Sequence, residues 1–134
     1  MAVLQNVSEV HMTVAAAILK GKFLKLGNAG IVAATAAAGD DAVGVSLEDR
    51  SSAQVTAGDV LVPMALPGCK CKILAGAAID ISAAVIPVTS DSAGRAVAVA
   101  AATDRILGYA LQSATAADQV IEILFVKGAD RRDA

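Results

Sequence analysis

The chain repeats itself, and the repeat limits the folds open to it. At a constant offset of 64, Gly30 falls on Gly94, Asp40 on Asp104, Gly44 on Gly108 and Leu47 on Leu111. The stretch "GIVAATAAAGDDAVGVSL" (30–47) therefore reads against "GRAVAVAAATDRILGYAL" (94–111). Downstream, "AGDVLVPMA" (57–65) matches "ADQVIEILF" (117–125) at an offset of 60, the difference being taken up by a shorter connector in the second copy. A turn glycine, an Ala-rich stretch, an acidic break and an apolar segment with glycine in its middle thus occur twice. Two copies are too few for a solenoid, which needs about three to bury a continuous core. They read as two halves of one small β domain.

Punctuation along the chain points the same way. Phe23 to Leu26 can alternate across a strand, and Gly27-Asn28-Ala29-Gly30 supplies residues that tolerate positive φ in a hairpin loop. Thr89 to Gly94 is the matching place in the second half. Further turn signals at Gly39-Asp40-Asp41, Gly58-Asp59, Pro67-Gly68, Ala75-Gly76 and Thr103-Asp104 space short apolar segments as in a sandwich or barrel. Alanine is the best helix former, and Ala33–Ala38 and Ala98–Arg105 contain runs of it. Those runs are too short for a stable helix, and their Val, Ile and Thr neighbours prefer strands. The expected fold is all-β: short strands in a sandwich or barrel over 17–127, with an extended N-terminal arm (1–16) and a polar tail (128–134). Residues 2–16 alternate imperfectly and lack a turn signal, which suits an arm whose partner is another chain.

Composition excludes several functions. With 11 basic and 13 acidic residues, net −2, the chain has no general attraction for nucleic acid or anionic membrane. Mean hydropathy is high at +0.63, yet charged residues break every run short of the roughly 18 apolar residues that a spanning helix requires. The start "MAVLQNVSEVHM" lacks a basic segment followed by an apolar one, so assembly in a reducing cell is expected. Apolar content is 56%, but Trp is absent and there are only one Tyr and two Phe. An Ala-dominated interior predicts a thin core, and self-association would supply the missing burial.

Chemistry is sparse. The single histidine, His11, falls in the expected arm, where a catalytic constellation would be hard to hold. In "GCKCKI", a strand would put Cys69 and Cys71 on one face and Lys70 and Lys72 on the other. Zinc wants four N/S ligands, so packed free thiols are the simpler reading. Asp40-Asp41, Glu48-Asp49, Asp80 and Asp91 each fall at a turn or strand end, where Asp bonds nearby backbone. No Gly-rich loop precedes a Lys-Ser/Thr pair. No cofactor, metal or catalytic residue is expected.

In order along the chain, "AAAILKGKFLKL", "AVGVSLED", "TAGDVLVPM", "AGAAIDI", "VIPVTSDSAGRAV" and "ILGYAL" resemble the small capsid decoration (cement) proteins of tailed bacteriophages over most of residues 2–127. The resemblance rests on the apolar-Gly-apolar strands around Gly44 and Gly108 and on the turn Gly58-Asp59 followed by Val60 and Val62. It implies a compact β-barrel or tulip-like subunit that forms a homotrimer on the outside of the virion head and clamps neighbouring major capsid proteins, with no nucleic acid, membrane or cofactor partner. The docking arm would be Ala2, Val3, Leu4, Gln5, Asn6, Val7, Ser8, Glu9 and Val10, and the turns at Gly30, Gly58, Asp59 and Gly94 would be structural. Alternatives are a host-surface or carbohydrate-binding β module, for which Tyr109 is a meagre aromatic supply, and a small enzyme.

Overall fold

A computed structural model describes the chain path over residues 9–130 and the side chains over 10–126. Among the described residues ten strands occur in the order β1 (Glu9–Val14), β2 (Phe23–Leu26), β3 (Ile31–Ala34), β4 (Gly44–Ser46), β5 (Leu61–Ala65), β6 (Lys70–Leu74), β7 (Pro87–Ser90), β8 (Ala96–Ala98), β9 (Arg105–Ala110) and β10 (Val120–Asp130). One short helix, α1 (Ser52–Thr56), separates β4 from β5. The protein is all-β.

The first five strands close a barrel in the order β1-β3-β2-β4-β5; the last five form a sheet in the order β6-β10-β9-β7-β8. Read from the other end, the second order is the first with each strand replaced by its repeat: β3, β2, β4, β5, β1 become β8, β7, β9, β10, β6. The closures repeat as well. β1 runs antiparallel to β5 and closes the barrel by a parallel pairing of Thr13 and Val14 with Ile31 and Val32. At the corresponding place, one parallel bridge links Ala75 to Ala96. The antiparallel bridge Ile18↔Arg50 recurs as Ile79↔Ala114.

The repeated glycines have a packing reason. A Cβ on Gly108 would lie 2.5 Å from the Leu124 carbonyl oxygen, and one on Gly44 would strike Met64 and lie 2.9 Å from the Ala65 carbonyl oxygen. Both positions sit where the neighbouring strand crosses too closely for a side chain.

One register shifts. Gly58 and Asp118 both have positive φ, so the offset of 60 holds at that turn. Beyond it the strands align at 59: Val45 pairs with Ala65 as Tyr109 pairs with Leu124. The offset of 60 would set buried Val62 against the half-buried Glu122; the offset of 59 sets it against buried Ile121, and Met64 against buried Ile123. A one-residue slip inverts every side chain of a strand, so burial decides the alignment.

Two cores result. Inside the barrel, Val14, Ile18, Leu24, Val32, Val62 and Met64 pack together. The larger core belongs to the second sheet but takes in Phe23, Ala42, Val45 and Ala65 from the first half. Adjacent residues on β2 serve both: Leu24 points into the barrel and Phe23 into the second core. There its ring lies 6.0 Å from that of Phe125. Backbone bonds stitch the seam: Phe23 N–H to Gly94 O (2.8 Å), Leu74 N–H to Gly21 O (2.9 Å) and Arg105 N–H to Ala38 O (2.8 Å). The expected Ala-dominated interior is corrected. Val, Ile, Leu and Phe carry most of the core volume, while Ala15–Ala17, Ala36, Ala37, Ala101 and Ala102 are exposed in connectors.

Two boundaries also differ from expectation. The arm of residues 1–16 is a barrel strand from Glu9 onward, because Val10, Met12 and Val14 face the barrel core and the backbone of 9–13 pairs with β5. Ala2–Ser8 lie outside the described residues. The tail of 128–134 is strand as far as Asp130, paired to Arg105, and 131–134 lie outside the described residues. The short helix α1 lies outside both Ala runs. Ser51 Oγ accepts from Gln54 N–H while the Gln54 side chain accepts from Ser51 N–H, so the helix start is capped on both sides.

Candidate functional site

A concavity of about 870 Å³ opens at the seam between the halves. One wall is the connector Leu19-Lys20-Gly21, the floor includes Leu47 and Ala65 from the barrel, and the other wall is β6. Alternation along β6 sets the chemistry of that wall. Cys71 and Ile73 turn into the second core, whereas Lys70 and Lys72 are exposed. Leu19 and Val120, each 57% exposed, give the rim an apolar edge.

The thiols behave as packed groups. Cys71 is buried and its pKa is pushed up to about 12, chiefly by burial and then by the neighbouring Cys69 thiol, so it stays protonated at neutral pH. Cys69 is half-buried at the groove. Among the described residues no three His, Cys, Asp or Glu side chains gather as a metal site. His11 is exposed on β1 opposite Pro63, in the barrel wall rather than in an arm.

The carboxylates serve the backbone. Asp40 accepts from Ala36 N–H (2.8 Å), and its repeat Asp104 accepts from Ala100 and Ala101 N–H (3.0 Å each). Asp91 accepts from Ala93 and Arg95 N–H and pairs with the Arg95 guanidinium at 2.8 Å. Asp49 accepts from Lys20 N–H at 2.7 Å, which pins the groove's connector wall. The Ala36 N–H holds the Asp40 carboxyl below its ordinary pKa, helped by Lys25, against a smaller opposing effect of burial.

The four turn residues have separate surroundings. Gly30 (φ +74) is exposed with open space around it. Gly58 (φ +95) ends α1, and Asp59 beyond it pairs with Arg50 at 3.3 Å. Gly94 (φ +78) is buried in the seam, where an added Cβ would meet Ala34, the Phe23 carbonyl and the Thr35 carbonyl at 3.2–3.3 Å. Of the arm residues only Glu9 and Val10 are described, and they lie in β1; Glu9 is in register with Ala65, whose surface lines the groove. The groove itself escaped sequence reasoning. The Lys-Cys-Lys alternation was visible, but not which structure would face it.

No protein-family model matches the chain, and no curated protein matches it either. In fold it is similar to the head fiber gp8.5 N base of bacteriophage phi29, a crystal structure. The TM-score is 0.66 at 15% identity, over 87% of this chain and 92% of that one. At that identity the likeness is one of fold.

Proposed function

We propose that this chain is a structural protein of a tailed-phage head: a decoration (cement) subunit that binds the outer capsid surface as a homotrimer and bridges neighbouring major capsid proteins. The observation that carries this reading is the likeness in fold, over nearly the whole of both chains, to a protein described as a phage head fiber base. The resemblance of the sequence segments to decoration proteins supports it independently. Carboxylates committed to backbone bonds and a protonated, buried Cys71 suit a scaffold better than a site of turnover. Ala2–Ser8 would contact the capsid, now as a shorter arm ahead of β1. Three weak arms per trimer would bind tightly by avidity.

Co-sedimentation of the purified protein with undecorated heads, followed by cryo-EM, tests this. Saturable binding at three-fold and quasi-three-fold positions is expected. A protein that stays in the supernatant at every concentration, and is a monomer by analytical ultracentrifugation, would overturn it.

A further inference from the structure

The second sheet has an open edge where the seam groove lies. Antiparallel residue pairs alternate between hydrogen-bonded and non-bonded. Phe125 N–H donates to Cys69 O at 2.9 Å, so Cys71 and Ile73 are the next residues of β6 bonded to β10. Lys70, Lys72 and Leu74 therefore turn their backbone groups away from β10. At Leu74 this outward N–H is taken by Gly21 O at 2.9 Å. From that contact the groove opens toward Lys70. There the N–H and C=O groups of Lys70 and Lys72 face the groove with no intramolecular partner among the described residues. Unpaired edges of this kind are templates for an added strand.

Charge selects the occupant. Among the described side chains, Lys20, Lys70 and Lys72 line the groove against one carboxylate, Asp49, which already accepts from the Lys20 backbone. Lys70 is drawn to Glu122 at 3.6 Å, and Lys20 and Lys72 make no ion pair among the described residues. The groove is thus locally basic in a chain of net charge −2. Segments of this chain suit it poorly: residues 1–8 (MAVLQNVS) contain no acidic side chain, and 128–134 balance two Asp with two Arg.

We propose that the seam groove binds an extended acidic segment of another protein, which adds as a strand to the open edge of β6. Its backbone bonds Lys70 and Lys72, its acidic side chains meet Lys20 and Lys72, and its alternate apolar side chains lie on the Leu47 and Ala65 floor. With Leu74 held by Gly21, the open part of β6 runs over residues 70–73, about 13 Å at strand rise, so about four residues of the partner fill it. Neither the edge nor its charge depends on the head-protein reading.

The probe is a fluorescein-labelled, capped peptide of alternating Glu and Val, six residues long, titrated by anisotropy against the full chain. Binding is expected to weaken at least tenfold with Lys72→Glu or Lys20→Glu, with Lys in place of Glu in the peptide, and with N-methylation of alternate peptide bonds. Bound peptide should slow hydrogen exchange at the Lys70 and Lys72 amides. Both substitutions are at exposed positions, and circular dichroism verifies the fold. Equal binding of the Lys or N-methylated peptide, no effect of Lys72→Glu in a folded protein, or no binding at millimolar peptide would overturn the proposal. Tighter binding of a peptide of residues 1–8 would also overturn it, by assigning the groove to the chain's own segment.

Discussion

Phe23 tests whether the two halves are one folding unit. It sits on a barrel strand, yet its ring is wholly buried in the core of the other half, 6.0 Å from Phe125. Removing a buried Phe costs about 3–5 kcal/mol through lost transfer energy and the void left behind. With a urea slope of roughly 1.5–2 kcal/mol/M, Phe23→Ala should lower the unfolding midpoint by about 2 M. The two rings should also show a coupling of about 0.5–1.5 kcal/mol in a double-mutant cycle with Phe125→Ala. The chain supplies its own local reporter. It has no Trp and a single tyrosine, Tyr109, on β9 of the second sheet, whereas far-ultraviolet circular dichroism reports on both halves. Phe23→Ala should move the Tyr109 fluorescence transition and the dichroism transition together. If the alanine variant does not fold, Phe23→Leu leaves a smaller void and allows the same comparison. A Tyr109 transition that stays at its wild-type midpoint while the dichroism splits into two steps would refute a shared core.

Deleting residues 2–8 should leave the thermal transition nearly unchanged, whereas deleting 2–12 should unfold the barrel, since it removes the pairing of Val10–Met12 with Val62–Met64; thermal melts of the two truncations decide. Gly108→Ala should cost about 1–3 kcal/mol by overpacking against the Leu124 carbonyl, read from chemical denaturation. At pH 8 an aromatic disulfide reagent should label at most Cys69 in the native protein and reach Cys71 only after unfolding, because the Cys71 pKa lies near 12; two rapidly reacting native thiols would contradict the packing. Asp40 has a depressed pKa in the folded state, so its contribution is present above the unfolded carboxyl pKa and fades as pH falls through the folded value. Asp40→Asn should therefore flatten the acid limb of a stability-versus-pH curve.

Much of the architecture was legible in the residues. The pairing of Gly30 with Gly94, Asp40 with Asp104 and Gly44 with Gly108 reports a duplicated chain path, because turn geometry, Asp-to-backbone bonds and close strand crossings are local demands that each copy must meet again. The alternation of Lys70, Cys71 and Lys72 likewise settles which side chains share a face. Only the tertiary structure decided what those faces meet. Local pattern cannot tell that β1 closes the barrel rather than reaching outward, since an edge strand and an arm read alike until a partner is in register. Nor can it tell that Phe23 serves the opposite half from Leu24, or that the strand after the Gly58 and Asp118 turns slips by one residue. The long-range burial of Val62 and Ile121 selects that register. The open edge of β6 and the groove beside it belong to the same class, because an unpaired backbone is defined by which strand fails to arrive.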